Sequence, residues 1–471
     1  MRNRLVPFLR RQIREVRRGG LRVVLRKGVS LIELVLAVPL VLAARLLRPL
    51  ILIRFGGMHS ARFCHFATDL EVYLCERDAG LHGRRVVDLF YYVQPVCNQQ
   101  LKKMWDRVLP VSRLAYWAAR LNSWLPGGQP HVVPWPFHAD HDLYGLWAHT
   151  KPHLSFTPAE EQRGFAALQA LGVLPGVAFV GIYARDPAAR DVPLASDDLR
   201  RGRRDCRDSE IETYLPAAEA LVRLGYVVLR LGKDVERALP TTNPKIIDYP
   251  NTPARSDFLD VFLGARGHFV LGDSGGISGI PLTFRRPLAM VNQFPLESIR
   301  TGNPCDLLIF KKLWLRKESR LLTLRETFVS GLGRRLENFA LEWYDRLGID
   351  VIDNTPEEIT AVAVEIAERL NGTWRTTEGD EELQQRVWAI YKDGVAHRRG
   401  QNLWRASLDS TRREFGWVKQ LRRYGWSPQI EWTDFQHQVF RSRIGAEFLR
   451  QNREWLLEDT LPAGPVVISL R

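Results

Sequence analysis

Cysteine is scarce in this sequence and follows no recognisable spacing. The 471 residues include five cysteines, at positions 64, 75, 97, 206 and 305. Their number is odd, no two form a Cys-x-x-Cys pair, and none has a histidine at zinc-module spacing. The sequence therefore gives no support to a disulfide framework or a structural zinc site, and it indicates a reducing, cytoplasmic setting.

Long apolar runs are also missing. A membrane-spanning helix needs about 20 consecutive apolar residues, but the nearest run, residues 31–44, contains Glu33 and Pro39 and stops at Arg45. We expect this run to be a re-entrant or in-plane anchor. A signal peptide cleaved near Ala44 is a less favoured alternative, because the next strand continues directly from the anchor.

Acidic residues are nearly absent from the N-terminus. Residues 1–54 contain 13 Lys and Arg but only two acidic residues, so +11 of the total net charge of +14 lies there. A nucleic-acid enzyme would spread basic residues over its folded binding face. Basic charge beside an apolar run instead suits an anionic membrane surface. The distribution predicts membrane docking and no nucleic-acid partner.

The basic segment has helical periodicity. Apolar residues recur every three or four positions over residues 4–18, with arginines between them, until Gly19-Gly20. This pattern predicts an interfacial amphipathic helix, with a solvated basic arm as the alternative. We assign residues 1–48 to a membrane-associating segment.

Strand and helix patterns alternate in the following segment, residues 49–160. Residues 50–55 and 86–93 are short apolar runs typical of buried parallel strands, and a helical pattern separates them. Alternation of this kind predicts α/β layers, and we assign residues 49–160 to an N-terminal, Rossmann-like lobe.

A second α/β series occupies residues 161–330. Strands are predicted at 176–183, 226–230, 246–248, 267–271 and 287–291, with helices at 210–224 and 258–265. Gly225 is a natural C-cap for the first helix. Regular strand–helix repeats with right-handed crossovers form one parallel sheet.

The remainder, residues 331–471, is rich in helix formers and contains eight of the 14 tryptophans. We expect a helical C-terminal extension whose tryptophans pack helices onto the body.

A glycine-rich turn, Gly272-Asp273-Ser274-Gly275-Gly276, follows a predicted strand and precedes a predicted helix. Small residues allow a phosphate to approach the backbone, and a helix N-terminus supplies free N–H groups. The turn is neither a dinucleotide fingerprint nor a Walker A loop, because the spacing and the lysine are missing. It predicts a phosphate cradle, with plain tight-turn geometry as the alternative.

Other charged residues end neighbouring strands of the same predicted sheet. Arg185, Lys233 and Asp248 each follow or end a strand, and parallel sheets bind ligands at the carboxyl ends of their strands. Two cations and a glycine-rich turn on one edge predict a diphosphate site. The alternative for Arg185 is an ion pair with Asp186 or Asp208.

The first series contains candidates for a catalytic base. After the Gly56-Gly57 turn, His65, Asp69 and Glu71 are expected close together on one helix, where His65 and Asp69 can pair. A histidine with a carboxylate partner can deprotonate an acceptor hydroxyl. A structural histidine is the equal alternative. Arg54, Arg62 and Glu71 are assigned to the acceptor side.

A metal site is not expected. His138, Asp140, His141 and Asp142 could suggest one, but they lie in a proline-rich loop where solvent exposure explains them better.

An ordered set of motifs resembles a bacterial family of glycosyltransferases associated with surface-polysaccharide gene clusters. The similarity covers roughly residues 45–455. The matching segments lie at 62–67, 183–186, 205–214, 229–233, 247–249, 256–260, 272–275, 291–296, 354–358 and 443–449. One departure is Cys64, where relatives are expected to have glycine.

The resemblance implies a GT-B-like fold, with two Rossmann-like lobes facing each other across a cleft. It further implies a metal-independent glycosyltransferase without a cofactor, whose donor is a nucleotide sugar and whose acceptor is lipid-linked or a polysaccharide. The expected location is peripheral or monotopic at the inner face of the plasma membrane. By the same resemblance, residues 49–160 would be the acceptor lobe and residues 161–330 the nucleotide-sugar lobe. The alternative is a non-catalytic GT-B-like scaffold or a nucleotide-binding component of a polysaccharide-assembly complex.

Overall fold

A computed structural model of the chain describes residues 2–93, 95–135, 142, 144–186, 205–296, 303–330, 332, 341–400 and 441–457. The first element is helix α1 (Arg2–Leu46), which is interrupted by non-helical geometry at Gly20 (φ 54°, ψ −149°). The predicted helix and the predicted break are both confirmed.

The apolar half of α1 is longer than the sequence pattern indicated. Val23–Leu46 forms a 24-residue helical segment with a mean hydropathy of 2.2, which is enough in length and composition to cross a membrane. The helix continues through Pro39 and begins upstream of the apolar run. The apolar run was expected to be too short to span a membrane. The helix that contains this run is long enough, so the expectation is corrected for the length of the helix.

One stripe of α1 packs on the body. Ala37, Val41 and Ala44 are buried in a small apolar cluster with helix α4 (Arg113–Trp124). Glu33 extends the stripe, because its carboxylate accepts from the Trp117 indole at 2.9 Å and pairs with Arg113. The spacing of three and four residues places all four positions on one helix face. The expected anchor is thus tied to the fold along one side.

The N-terminal unit is built around two parallel strands. Strand β1 (Leu52–Met58) pairs in register with β2 (Val86–Tyr92), and helix α2 (Phe63–Asp78) connects them. Helix α3 (Gln99–Val108) and α4 follow. Among the described residues of 49–160 these are the only strands, so the sheet is smaller than the expected Rossmann-like lobe.

A seven-stranded, all-parallel sheet forms the centre of the molecule. Its order is β12-β8-β7-β6-β3-β4-β5. The strands are β3 (Phe179–Tyr183), β4 (Val227–Arg230), β5 (Ile246–Asp248), β6 (Val270–Gly272), β7 (Leu288–Gln293), β8 (Leu307–Phe310) and β12 (Arg443–Ile444). The sheet is buried because helices cover both faces, which is why its strands are continuous apolar runs. The predicted parallel sheet is confirmed.

Five helices flank this sheet, and three of them begin at a side-chain cap. They are α5 (Pro158–Ala170), α6 (Leu215–Arg223), α7 (Asp257–Arg266), α8 (Gly279–Thr283) and α11 (Pro356–Asn371). Thr157 and Thr355 form capping boxes with glutamates three residues on, and Ser256 caps α7. Gly225 ends α6 in the left-handed region (φ 97°), as predicted.

The C-terminal part completes the sheet and adds a smaller one. Strands β9 (Lys312–Leu315), β10 (Arg320–Leu321) and β11 (Ile349–Ile352) form an antiparallel sheet. The accompanying helices are α9 (Leu324–Val329), α10 (Leu341–Arg346), α12 (Glu378–Gly400) and α13 (Ala446–Gln451). The predicted helical extension therefore also supplies β12 to the central sheet. Trp343, Trp388 and Trp455 pack on the core as expected.

Contacts at α7, at Arg285 and at α8 join the N-terminal unit to the helices and loops around the central sheet. The Asp257 side chain accepts from the Gln99 backbone, and its carbonyl accepts from the Asn98 amide. The Arg285 guanidinium donates to the buried carboxylate of Glu71 at 2.6 Å. Gly279 packs so closely on Cys64 that a Cβ at Gly279 would lie 2.8 Å from the Cys64 Cα. The junction is therefore densely packed at α2.

Candidate functional site

Four adjacent strands of the central sheet carry the predicted donor residues at one edge. Tyr183 of β3 is in register with Gly272 of β6, and Arg230 of β4 is in register with Asp248 of β5. Arg185 and Lys233 follow β3 and β4 by two and three residues. Parallel strands end at the same edge, so the topology brings these predicted residues to one side of the sheet.

The turn after β6 is held by its own aspartate. Asp273 is fully buried, and its carboxylate accepts from the Arg185 backbone N–H, the Ser209 hydroxyl and the Gly275 backbone N–H. Burial raises the pKa of Asp273 to about 6, although these donors and the Arg185 charge oppose the rise. Ser274 donates to Gln293 at 2.8 Å. These bonds fix the turn and leave Asp273 engaged inside the protein.

The glycines of the turn allow close packing on two sides. A Cβ at Gly272 would lie 2.2 Å from the Tyr183 ring, and one at Gly275 would lie 3.0 Å from it. A Cβ at Gly276 would lie 3.8 Å from the Phe63 side chain and 3.9 Å from the Cys64 nitrogen. The turn thus meets the N-terminus of α2. Close packing on the Tyr183 ring explains the small residues at 272 and 275, and neither has the positive φ that a tight turn would require of glycine.

Arg185 is committed to acidic partners. Its guanidinium pairs with Asp208 and lies 3.6 Å from Asp205, while a quarter of the side chain stays exposed. Burial raises the pKa of Asp208 despite the opposing charge of Arg185. Lys311, which follows β8, donates to the Asp208 carbonyl and pairs with Asp353. The ion pair considered as the alternative for Arg185 is therefore present.

Lys233 and Asp248, the other two charged residues predicted at this edge of the sheet, differ in their surroundings. Lys233 is exposed on the surface beyond β4. Asp248 accepts from Arg230, from the Leu239 backbone and from the Asn251 amide. The Lys233 side chain is therefore accessible to solvent, whereas Asp248 holds the loop after β4 through hydrogen bonds.

A carboxylate between two imidazoles lies at the junction of the two units. The Nδ1 of His59 is 3.0 Å from one oxygen of Asp69, and the Nδ1 of His65 is 3.1 Å from the other. His59 follows β1, while His65 and Asp69 occupy successive turns of α2. Burial tends to raise the pKa of Asp69, but the charge of His65 and the hydrogen bonds from both histidines lower it overall. The predicted His65–Asp69 pair is confirmed as a contact.

Glu71 does not join this cluster, contrary to the expectation. Residues two apart in a helix point to different faces, so Glu71 turns away from Asp69. Its fully buried carboxylate contacts Arg285 at 2.6 Å and His153 at 3.2 Å. Burial acts to lower the pKa of His153, but its hydrogen bonds with the Cys75 sulfur and to the Glu71 carboxylate raise it to about 10. Glu71 therefore links the two units of the fold.

The other two acceptor-side candidates also have structural positions. Arg54 is buried in β1, where it donates to Asp88 at 2.7 Å and to the Tyr73 hydroxyl at 2.5 Å. Arg62 is the extended N-cap residue of α2, and its carbonyl accepts from Phe66. Of these two, Arg62 is the one next to the histidine cluster in the chain.

Two groups among the described residues have the ligand types and spacing for a metal ion. They are His59, His65 and Asp69, and Glu71, Cys75 and His153. Of the weaker sequence candidate at 138–142, three members lie outside the described residues. Asp142 is buried and accepts from the Leu146 and Trp147 backbones at 2.7 Å. That carboxylate caps a turn.

Sequence reasoning missed His59, Lys311 and Arg285. His59 ends a parallel strand, which is the signal that had identified Arg185, so the same rule would have found it. Lys311 likewise follows a strand, β8, that the sequence pattern did not reveal. Arg285 gave no signal, because its role depends on a partner 214 positions away.

No model of a known protein family and no curated protein matches the chain. Among solved structures, the chain is similar to the glycosyl transferase family 9 from Veillonella parvula DSM 2008. The TM-score is 0.32 and the identity 10%, over 51% of this chain and 80% of that one. At this TM-score the likeness carries no argument about function.

Proposed function

We propose that the chain is a glycosyltransferase that moves a sugar from a nucleotide-sugar donor to a lipid-linked or polysaccharide acceptor. The observation that carries this proposal is the position of the His59–Asp69–His65 cluster. Its helix begins at Phe63 and Cys64, which contact the glycine turn at the ligand-binding edge of a parallel sheet. A candidate base and a candidate diphosphate site thus lie at one junction.

Each side chain has a role in the proposal. Asp69 accepts a hydrogen bond from Nδ1 of His65, which orients the imidazole and stabilises its protonated form. His65 would then accept the proton of the acceptor hydroxyl at its other nitrogen. Lys233, with the partly exposed Arg185, would stabilise the charge that develops on the leaving diphosphate.

The site is proposed to work at the cytoplasmic face of a membrane. The exposed apolar side of α1 and the basic N-terminus support a peripheral or monotopic attachment to anionic lipid. The remaining predictions of the resemblance, a GT-B-like arrangement and a reaction without metal, belong to this proposal as well.

The test is hydrolysis and transfer by the purified full chain in detergent, with UDP-, GDP-, CMP- and dTDP-sugars as donors. We expect His65→Ala to lower kcat by about 100- to 10,000-fold, which is the usual contribution of a general base. His82→Ala is the matched control, because His82 pairs with Glu76 just beyond the same helix at 2.7 Å. Unchanged turnover in His65→Ala would remove His65 from the reaction.

The donor edge has its own matched pair. Lys233→Ala should raise KM for the donor by about fivefold, since a single exposed charge contact is worth roughly 1 kcal/mol. Lys245→Ala should leave KM unchanged, because Lys245 is equally exposed but precedes β5 at the opposite edge of the sheet.

A non-catalytic scaffold is the second candidate, and the internal partners of Arg185, Asp248 and Asp273 favour it. A scaffold of this fold would give neither turnover nor a rise in Tm with any nucleoside diphosphate. A rise in Tm that Lys233→Ala abolishes would favour the enzyme.

A further inference from the structure

The His59–Asp69–His65 cluster has a ligand set that the proposed base role does not explain. A base needs one imidazole and one orienting carboxylate, but here a second imidazole meets the free oxygen of the same carboxylate. The two rings meet edge to face with centroids 6.0 Å apart. Two nitrogens and one oxygen therefore converge on a small volume from two different elements.

The distances suit a transition-metal ion. The two nitrogen–oxygen separations are 3.0 and 3.1 Å, and all three ligand atoms lie within 4.8 Å of one another. A tetrahedral zinc ion with bonds of about 2.0–2.2 Å separates its ligand atoms by roughly 3.3–3.5 Å. A rearrangement of these three side chains would therefore bring the ligand atoms to the spacing that the ion needs.

The local backbone also favours coordination. His65 and Asp69 are four residues apart on α2, the spacing that places two ligands on one helix face, and His59 comes from the end of β1. The carboxylate is 6% exposed, while the two histidine side chains are 15% and 21% exposed. The site is thus rigidly supported and still reachable from solvent.

The second candidate group contains a cation of the protein itself. The Arg285 guanidinium lies 2.6 Å from the Glu71 carboxylate and 3.3 Å from the Cys75 sulfur, where it neutralises the site that a metal would occupy. The Asp69 carboxylate instead contacts two imidazoles, which coordinate a metal ion as neutral ligands. The group of His59, His65 and Asp69 is therefore the better candidate for a metal site.

We propose that His59, His65 and Asp69 form a site for one divalent first-row transition-metal ion, with Zn²⁺ as the best match to two imidazoles and one carboxylate. Mg²⁺ and Ca²⁺ prefer all-oxygen ligands and fit poorly. Three protein ligands leave one tetrahedral position for water or an anion. The site stands on its own geometry. Because the ion would take the Nδ1 of His65 and the Asp69 carboxylate, the zinc-bound cluster replaces the hydrogen-bonded base pair of the proposed function and is a separate state of these residues.

The first experiment measures metal content and affinity in the full-length protein in detergent. The protein is stripped with a chelator, titrated with Zn²⁺ and Mg²⁺, and analysed for bound metal after gel filtration. We expect one Zn²⁺ per chain, no retained Mg²⁺ and a higher Tm with zinc, because a ligand that binds only the folded state stabilises it. Co²⁺ should give the intense visible absorption of a tetrahedral site.

Variants assign the ion to these residues. His59→Ala and His65→Gln should each weaken zinc binding by at least about 100-fold, at or above the loss seen when outer-shell partners are removed. His82→Ala, the matched histidine–carboxylate pair, should retain one zinc. The double change His138→Ala/His141→Ala tests the other histidine-rich segment and should also retain one zinc.

The outcomes are separable. Loss of zinc in the 138/141 variant alone, or one zinc retained in both His59→Ala and His65→Gln, would overturn the proposal. Failure to bind any zinc would do so too, and would leave the cluster as a hydrogen-bonded relay. None of these results depends on turnover, so they can be told apart from a failure of the proposed function.

Discussion

At the scale of single residues, Asp306 is a carboxyl group outside the candidate site whose pKa is strongly raised. Asp306 precedes β8, is 1% exposed, and accepts only from the backbones of Leu288 and Asn303 among its described donors. Burial raises its pKa to about 8 from an ordinary value of 3.8. The folded protein therefore holds a proton here that the unfolded chain releases at a much lower pH.

The sign of the pH dependence follows. Between about pH 4 and 8 the folded state binds more protons at Asp306, so this group's stabilisation is complete below pH 4 and is lost as the pH rises through 8. We expect Asp306→Asn to flatten the fall in the free energy of unfolding over that range by up to about 1.4 kcal/mol per pH unit. Urea denaturation at a series of pH values measures it, and an unchanged slope would contradict the assignment.

Some residues of the candidate site could be predicted from local sequence and others could not. His65 and Asp69 were predictable because helical spacing is a local property. The same helical spacing predicts that Glu71, two residues after Asp69, points to a different face of α2. The expectation that it joins His65 and Asp69 rested on closeness in sequence alone. The ion pair of Arg185 with Asp208 was weighed as an alternative, yet only the fold places the two beside each other. Partners brought together by tertiary structure leave little local signal.

At the scale of elements, Arg285 is the strongest link between α2 and the central sheet. Its guanidinium donates to Glu71 and to the Trp147 and Thr283 carbonyls, and Glu71 is fully buried. Arg285→Met would leave that carboxylate buried without its cation. We expect a loss of about 3–5 kcal/mol in the free energy of unfolding.

A matched arginine gives the control. Arg316 pairs with Asp345 and Asp350 on the surface, with 43% of its side chain exposed, and Arg316→Met should have a much smaller effect on the free energy of unfolding than Arg285→Met. The double variant Arg285→Met/Glu71→Gln should recover part of the loss, because it removes the unpaired charge. Equal effects of the two single changes would show that the junction does not depend on this ion pair.

Predictability also varied among elements. The strands β3 to β7 were located to within a few residues, because a parallel strand covered on both faces is a continuous apolar run bounded by turns. The antiparallel strands β9, β10 and β11 and the two-residue β12 were not predicted. They are short, partly exposed and defined by pairing with distant segments, so neither length nor periodicity marks them.

At the scale of the whole molecule, helix α1 has one side that packs on the body and one apolar side that is exposed. Leu31, Ile32, Val35 and Leu36 are more than half exposed, whereas Ala37 and Val41 on the other side are buried. If the free side meets lipid, changing these four residues to serine should weaken binding to vesicles containing anionic lipid by at least tenfold. The reason is the loss of about 1.5–3 kcal/mol for each large apolar side chain.

Flotation with vesicles measures this binding. The matched control changes four exposed apolar residues elsewhere, Leu81, Val87, Leu174 and Leu224, to serine. Binding should survive in the control and should weaken with added salt, since basic residues contribute through a screened attraction. Equal loss in both variants would contradict a specific lipid-facing side.

The pairing of β12 with β8 bears on how the chain folds during its synthesis. Residues 443–444 complete the edge of a sheet whose other six strands leave the ribosome much earlier. Until they emerge, β8 is an open edge, and Gln384 lacks the Ile444 backbone that it bonds in the folded protein. An unprotected edge strand invites pairing between nascent chains. Ribosomes stalled before residue 443 should therefore carry a sheet that is formed but prone to aggregation. A chaperone that covers the β8 edge would reduce this aggregation.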